Sequence, residues 1–252
     1  MNDTAPFPRD YQAPPGLLAE RVILVTGAGQ GLGQAVALAC ARHGATVVLL
    51  GRKQEKLERT YDAITTAGGA RPAIVPLDLA TAGTPEFEEL ANLVRRDVGP
   101  LSGIAHCASH FTPLTPIANQ PLEGWLTMLR VNLAAPVALT RACLPLLEAS
   151  PGSSVVFTSE THALHPKAYW GSYAVSKAGL STLAAIWDDE LEHAGDPRMS
   201  VLVPGPIATP QRRQTHPAED RTKLRPPEWA ARAYLYLLGP ESRAWRGRTV
   251  EL

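Results

Sequence analysis

From residue 21 onward, short apolar runs alternate with segments in which apolar residues recur three and four apart. The runs are RVILVT (21–26), TVVLLG (46–51), AIVPL (73–77), GIAHC (103–107), SVVFT (154–158), MSVLV (199–203) and RTVEL (248–252). Between them lie GQAVALACARHG, QEKLERTYDAITTAG, PEFEELANLVRRDVG, LEGWLTMLRVNLAAPVALTRACLPLLEAS, GSYAVSKAGLSTLAAIWDDELEHAG and PPEWAARAYLYLLG, most of which end near glycine, a usual helix stop. This alternation predicts βαβ units: an α/β fold, doubly wound, with a seven-stranded parallel sheet flanked by helices over residues 21–252. Residues 1–20 are polar and proline-rich and predict a loosely ordered arm. Roughly 204–226 carries neither helix nor strand character, and a loop of that length in one domain is usually a lid or binding loop, here about 206–226.

Composition narrows the picture. At 252 residues and 45% hydrophobic, the chain fills one large core. Lys plus Arg balance Asp plus Glu at 24 each, and no basic run is interleaved with aromatics, which argues against a nucleic-acid partner. Cys40, Cys107 and Cys143 are scattered, without CxxC or metal spacing, and fit a reducing compartment with buried thiols. The N-terminus is no charged start followed by an apolar run, and no apolar stretch reaches membrane-spanning length. The expectation is a cytoplasmic protein with no membrane partner.

TGAGQGLG, Thr26 to Gly33, follows the first strand and opens a helix. Small residues there let backbone N–H groups approach a pyrophosphate at the positive end of the helix, and Gly31 and Gly33 allow tight helix–sheet packing. A glycine-rich turn has a blander use, φ > 0 in any βα turn, but this context favours a Rossmann-type dinucleotide site.

The spacing is TGxxxGxG, one residue wider than the commonest dinucleotide fingerprint. Together with Tyr173 and Lys177 in YAVSK, Asn132 in VNL, Asp78 in LDL and PGPIAT after the sixth strand, it resembles the short-chain dehydrogenase/reductase family. The likeness runs in order from about residue 17. It is closest to the YciK-like bacterial oxidoreductases, which share an arm of the DYQAPPGLL type. It implies cofactor contacts from Gly27, Gln30, Gly31, Leu32, Gly33, Arg52, Asp78, Leu79, Tyr173, Lys177, Pro204, Gly205 and Ile207, and a small-molecule substrate. It also implies a homodimer or homotetramer formed through the helices that carry Asn132 and Tyr173.

Hydride exchange with a carbonyl or alcohol needs a group that passes a proton to or from the oxygen. A tyrosine, with a pKa near 10, does so only when that value is lowered, and Lys177, one helical turn on, supplies the positive charge. The resemblance makes Tyr173 the acid/base and gives Lys177 a contact to the nicotinamide ribose. Pro136 lies four residues beyond Asn132, so the Asn132 carbonyl loses its helical N–H partner, and a water is the natural substitute. The family's mechanism places a relay water there; a plain helix kink is the other reading.

At the end of the second strand, Gly51 is neutral and Arg52 offers a fork suited to a 2′-phosphate. A hydrogen bond to a charged group contributes roughly 1.5–3 kcal/mol, so Arg52 alone favours NADP(H) over NAD(H) by about ten- to a hundredfold. Asp78 resembles the residue that contacts adenine, or it caps the next turn.

Two departures stand out. Thirteen residues before Tyr173, where the family places its substrate-binding serine, stands Glu160, between Ser159 and Thr161. An ionised carboxylate about 4 Å from a forming tyrosinate costs on the order of 4 kcal/mol at an effective dielectric near 20, about three pKa units. Three readings remain open. Glu160 is protonated and donates in the serine's place; or it turns outward, or to Lys167, and Ser159 or Thr161 acts; or the protein is a catalytically weak NADP-binding regulatory module. The second departure is HCAS, 106–109, where the family has NNAG, with Ser109 in place of a glycine. Arg212, Arg213, Arg221, Lys223 and Arg225 in the lid either select an anionic substrate or are solvated, and His162 and His165 lack a further metal ligand nearby.

Overall fold

A computed structural model describes residues 4–8, 10–193 and 195–252. All seven expected strands form, within a residue or two of their expected limits. They are β2 (Val22–Thr26), β3 (Thr46–Gly51), β4 (Ala73–Pro76), β5 (Leu101–His106), β6 (Ser154–Thr158), β7 (Arg198–Val203) and β8 (Thr249–Glu251). The arm adds a short edge strand, β1 (Thr4–Pro6), parallel to β8. The sheet order is β1-β8-β7-β6-β5-β2-β3-β4, every neighbouring pair parallel. The arm is thus less loose than expected: Phe7 and Leu18 are buried in the core, and Tyr11 meets Tyr236 edge-on at 4.8 Å. Its residues 1–3 and 9 lie outside the described residues.

Strand alternation assigns the two faces. Ile23 and Val25 of β2, with Val47 and Leu49 of β3, face α1 (Gly31–Arg42), α2 (Gln54–Thr66) and α9 (Pro227–Leu238). Val22, Leu24, Val48 and Leu50 face α3 (Thr84–Leu93), α5 (Ala135–Glu148) and α7 (Gly171–Glu190). Each such side chain, fully buried, contributes about 1.5–3 kcal/mol. Because β2 lies between β3 and β5, the winding reverses at β2/β5, and a crevice opens there at the strands' carboxyl ends.

The long helix expected around Asn132 is composite. α4 (Leu122–Leu129) passes through a π-helical segment, Arg130–Ala134, in which the Ala135 N–H reaches back to the Arg130 carbonyl, and continues as α5. Pro136 has no N–H to extend an α-helical ladder through this region, so the π register accommodates it. Leu122–Glu148 as a whole is long and apolar enough to cross a membrane by length and composition, which corrects the expectation that no stretch reaches that length. It serves instead as a core helix, with Leu139, Cys143 and Leu147 buried against the sheet.

The stretch 204–226 is also corrected. It folds into α8 (Pro210–Thr215), a 3-10 turn at Arg221–Lys223 and a bridge between Ile207 and Arg225. Thr209 caps α8 by accepting the Arg212 N–H, and Pro210 sits at its first position. Arg212 and Glu219 pair through two bonds of 2.7 and 2.6 Å across the segment.

Candidate functional site

The turn after β2 is built for close approach. Gly27 has φ +68°, and a Cβ there would lie 3.0 Å from Ala108 Cα. A Cβ on Gly33 would lie 2.7 Å from the Gly27 carbonyl carbon, so α1 sits directly on the turn. Thr26 Oγ1 accepts the Ala108 N–H at 3.0 Å and ties the turn to the end of β5. What remains is a backbone cradle at the N-terminus of α1, opening into a cavity of about 650 Å³ along the carboxyl edge of the sheet.

The cavity gathers nearly every residue expected from the sequence. Gly27, Gln30, Gly31, Leu32 and Gly33 line one part of it, and Arg52, Asp78 and Leu79 line the β3/β4 side. Tyr173, Lys177, Glu160, Pro204, Gly205 and Ile207 line the β6/β7 side. Arg52 is exposed and lines the cavity. Asp78 Oδ1 accepts the Ala80 N–H at 2.9 Å, so it caps its turn as well as facing the cavity. A glycine cradle on a helix N-terminus, with an arginine beside the neighbouring strand end, fits a phosphorylated dinucleotide.

Asn132 is the exception, for it does not line the cavity. It is buried behind it, and its side chain is fully engaged. Oδ1 accepts the His110 N–H at 2.7 Å, while Nδ2 lies 3.0 Å from the His110 carbonyl and 3.1 Å from Ser176 Oγ, donating to both. It therefore pins the loop after β5 to α7.

Tyr173 and Lys177 lie on the first turns of α7, both buried. Lys177 Nζ donates to the Thr158 carbonyl at 2.9 Å and stands 5.9 Å from the Tyr173 ring centroid. Burial pushes the lysine down to about 8, with Glu160 acting in the opposite sense. Burial raises the Tyr173 phenol, the hydrogen bonds from Ser109 and Gln211 pull it back down, and Glu160 raises it further. The ring is held by Phe111, edge-on at 5.1 Å, and by Trp170 at 6.0 Å.

Glu160 follows the end of β6 and opens α6 (Thr161–Leu164). Burial raises its carboxyl, against the opposing pull of the His162 and Ala163 amides, His162 itself and Lys177. Its Oε1 is buried and, among the described residues, has no hydrogen-bond partner. Among the described residues, no ion pair joins it to Lys167. Ser159 is committed elsewhere: its hydroxyl donates to the Lys177 carbonyl at 3.0 Å, which leaves it no simple route to the serine role.

The HCAS substitutions are absorbed locally. His106 packs parallel to Phe157 at 5.0 Å, and its Nε2 meets Thr140 Oγ1 at 2.8 Å. Burial, with Lys177 nearby, holds the imidazole down to about 3, so it is neutral. Burial pushes the Cys107 thiol up to about 12.

Of the cations expected in the lid, Arg212 is bound to Glu219, Lys223 lies 3.8 Å from Asp220, and Arg225 covers the Trp229 ring at 5.6 Å. Only Arg212 among the five lines the cavity. His162 packs on Trp170 at 4.1 Å rather than beside other ligands, and among the described residues no three His, Cys, Asp or Glu come together as a metal site. The sequence reading missed Trp170, Gln211 and His216, all of which line the cavity. Trp170, three residues before Tyr173, was discoverable from helical phase; the other two arrive through the fold of residues 204–226.

A family model described as short chain dehydrogenase matches residues 21–220. The uncharacterized oxidoreductase YciK of Escherichia coli K12 is 36% identical over 241 residues, 96% of this chain and 95% of that protein. A short chain dehydrogenase structure from Pseudomonas syringae superposes with a TM-score of 0.94 at 41% identity, covering 98% of this chain and 99% of the other. One from Escherichia coli CFT073, complexed with NADPH, gives 0.91 at 36%, covering 94% and 99%.

Proposed function

The chain belongs to the short chain dehydrogenase family, and on that premise we propose that it is an NADP(H)-dependent oxidoreductase working between a carbonyl and an alcohol. The observation that carries the reading is the buried Tyr173–Lys177 pair in the same cavity as the glycine cradle and Arg52.

A nicotinamide bound there supplies or accepts the hydride. Tyr173 gives or takes the proton at the reacting oxygen, so that a carbonyl gains one hydride and one proton and leaves as an alcohol. Lys177, anchored on the Thr158 carbonyl, sets its charge beside the tyrosine and would hold the cofactor ribose. Asn132 fixes the loop that closes the pocket behind the phenol. Glu160 acts as the neutral acid that its burial favours, donating a hydrogen bond to the substrate oxygen. In that form it does not oppose the tyrosinate.

Arg52 beside neutral Gly51 supports NADP(H) over NAD(H), as does the NADPH carried by the E. coli CFT073 neighbour. Titration followed by nicotinamide fluorescence tests this. NADPH binding at least tenfold tighter than NADH is expected, and equal or reversed affinities overturn the preference. The exposed apolar residues Leu122 and Leu126 on α4, with Val175 and Ile186 on α7, support assembly through the helices that carry Asn132 and Tyr173. The unpaired thiols Cys40, Cys107 and Cys143 support a reducing, cytoplasmic setting.

A further inference from the structure

Ser109 and Glu160 are the two places where polar side chains depart from the family pattern beside Tyr173, and they meet on the same phenol. Ser109 Oγ donates to the Tyr173 hydroxyl oxygen at 3.2 Å, and Gln211 Nε2 on α8 donates to it at 2.8 Å. A phenol oxygen has two lone pairs. With both filled, the O–H proton is the one hydrogen-bonding function Tyr173 retains for a substrate.

We propose that Ser109 is a further catalytic residue and that, with lid residue Gln211, it forms a two-donor cradle that stabilises Tyr173 as tyrosinate. This rests on Tyr173 being the proton-transfer group. The cradle offsets what Glu160 adds wherever that carboxyl ionises. The groups facing the phenol are Lys177 on its own helix, Glu160 after β6, Ser109 after β5 and Gln211 from the lid, with the Phe111 and Trp170 rings alongside. Of these, Lys177 and Glu160 are the charged or titratable ones. Lys177 favours the anion and an ionised Glu160 disfavours it, so two neutral donors on the oxygen itself tip the balance toward ionisation.

A glycine at 109 would leave this oxygen one donor short, and a serine at 160 would not burden it with a carboxylate. The two departures therefore compensate each other once Glu160 ionises. Because one donor sits in the loop after β5 and the other on the lid, the cradle is complete only with the lid in place, which couples lid closure to readiness for proton transfer.

The test reads the phenol directly. 3-Fluorotyrosine placed at 173 lowers the intrinsic phenol pKa and reports its ionisation by fluorine NMR, with or without turnover. In otherwise unchanged protein, Ser109→Ala and Gln211→Ala are each expected to raise the Tyr173 pKa by about one to two pH units, the loss of one hydrogen bond to a charged acceptor. Ser109→Thr, which keeps the hydroxyl, is expected to restore it. The same variants with tyrosine at 173 should lose about ten- to a hundredfold in kcat, with the pH profile displaced in the same direction.

Titrations of Ser109→Ala and Gln211→Ala that superimpose on the parent overturn the cradle. Failure of the underlying reading looks different: Tyr173→Phe would turn over as fast as the wild type while the titration shifts persist.

Discussion

Asn132 holds the His110 peptide from both sides, accepting its N–H at 2.7 Å and donating to its carbonyl at 3.0 Å. One side chain thereby replaces the backbone pairing that the chain loses where β5 ends, and it does so one residue after Ser109. Asn132→Ala is expected to lower stability by about 1–3 kcal/mol, because the partners of a buried amide are left unpaired. Urea denaturation measures this. Asn132→Asp, which keeps the acceptor and loses the donor to the carbonyl, should be destabilised as well.

The proposed NADP(H) preference has its own handle in Arg52. Arg52→Ala should weaken NADPH by about ten- to a hundredfold while changing NADH little, since only a 2′-phosphate engages the guanidinium. Paired fluorescence titrations read this ratio, and an equal loss for both cofactors would place Arg52 elsewhere in binding.

Glu160 makes a prediction about stability and pH. Its folded pKa is raised above the ordinary value of 4.5, chiefly by burial. Stability associated with its protonated form is therefore full below that ordinary value and is lost as pH rises through the folded one. Glu160→Gln, which mimics the neutral acid, should match the wild type in Tm at low pH and exceed it increasingly as pH rises above about 4.5. Thermal melts across pH with both proteins measure the difference, and parallel curves would mean that the carboxyl is not desolvated.

His106 runs the other way. Burial and Lys177 lower it from 6.5 to about 3, so the stability of its neutral form is present above 6.5 and drains away as pH falls toward 3. Histidine NMR signals should include one that does not titrate between 5 and 7. Its hydrogen bond to Thr140 predicts that Thr140→Val shifts that resonance without making it titrate.

Much of this was legible in the sequence, for physical reasons that vary from element to element. The seven strands β2 to β8 are read from apolar runs because both faces of a parallel sheet are covered, as Ile23 and Leu24 show by facing opposite cores. Tyr173 and Lys177 are legible together because four residues on one helix fix their geometry. β1 was not, since three residues carry no periodicity and its pairing with β8 joins the two ends of the chain. α8 was hidden by its six-residue length, although Thr209 and Pro210 are cap signals in retrospect. The substitution at 109 was visible, but its contact with Tyr173 spans 64 residues and exists only in the fold. Asn132 was read through its carbonyl and Pro136; the structure moves the weight to its side chain, which no local pattern announces.

The most direct measurement is NADPH oxidation by the wild-type protein across aldehydes, diketones and quinones, with Tyr173→Phe as the blank. Turnover on at least one carbonyl class, falling by a hundredfold or more in Tyr173→Phe, is expected. NADPH bound by the wild type without turnover on any of them would contradict it and leave a cofactor-binding module on the same fold.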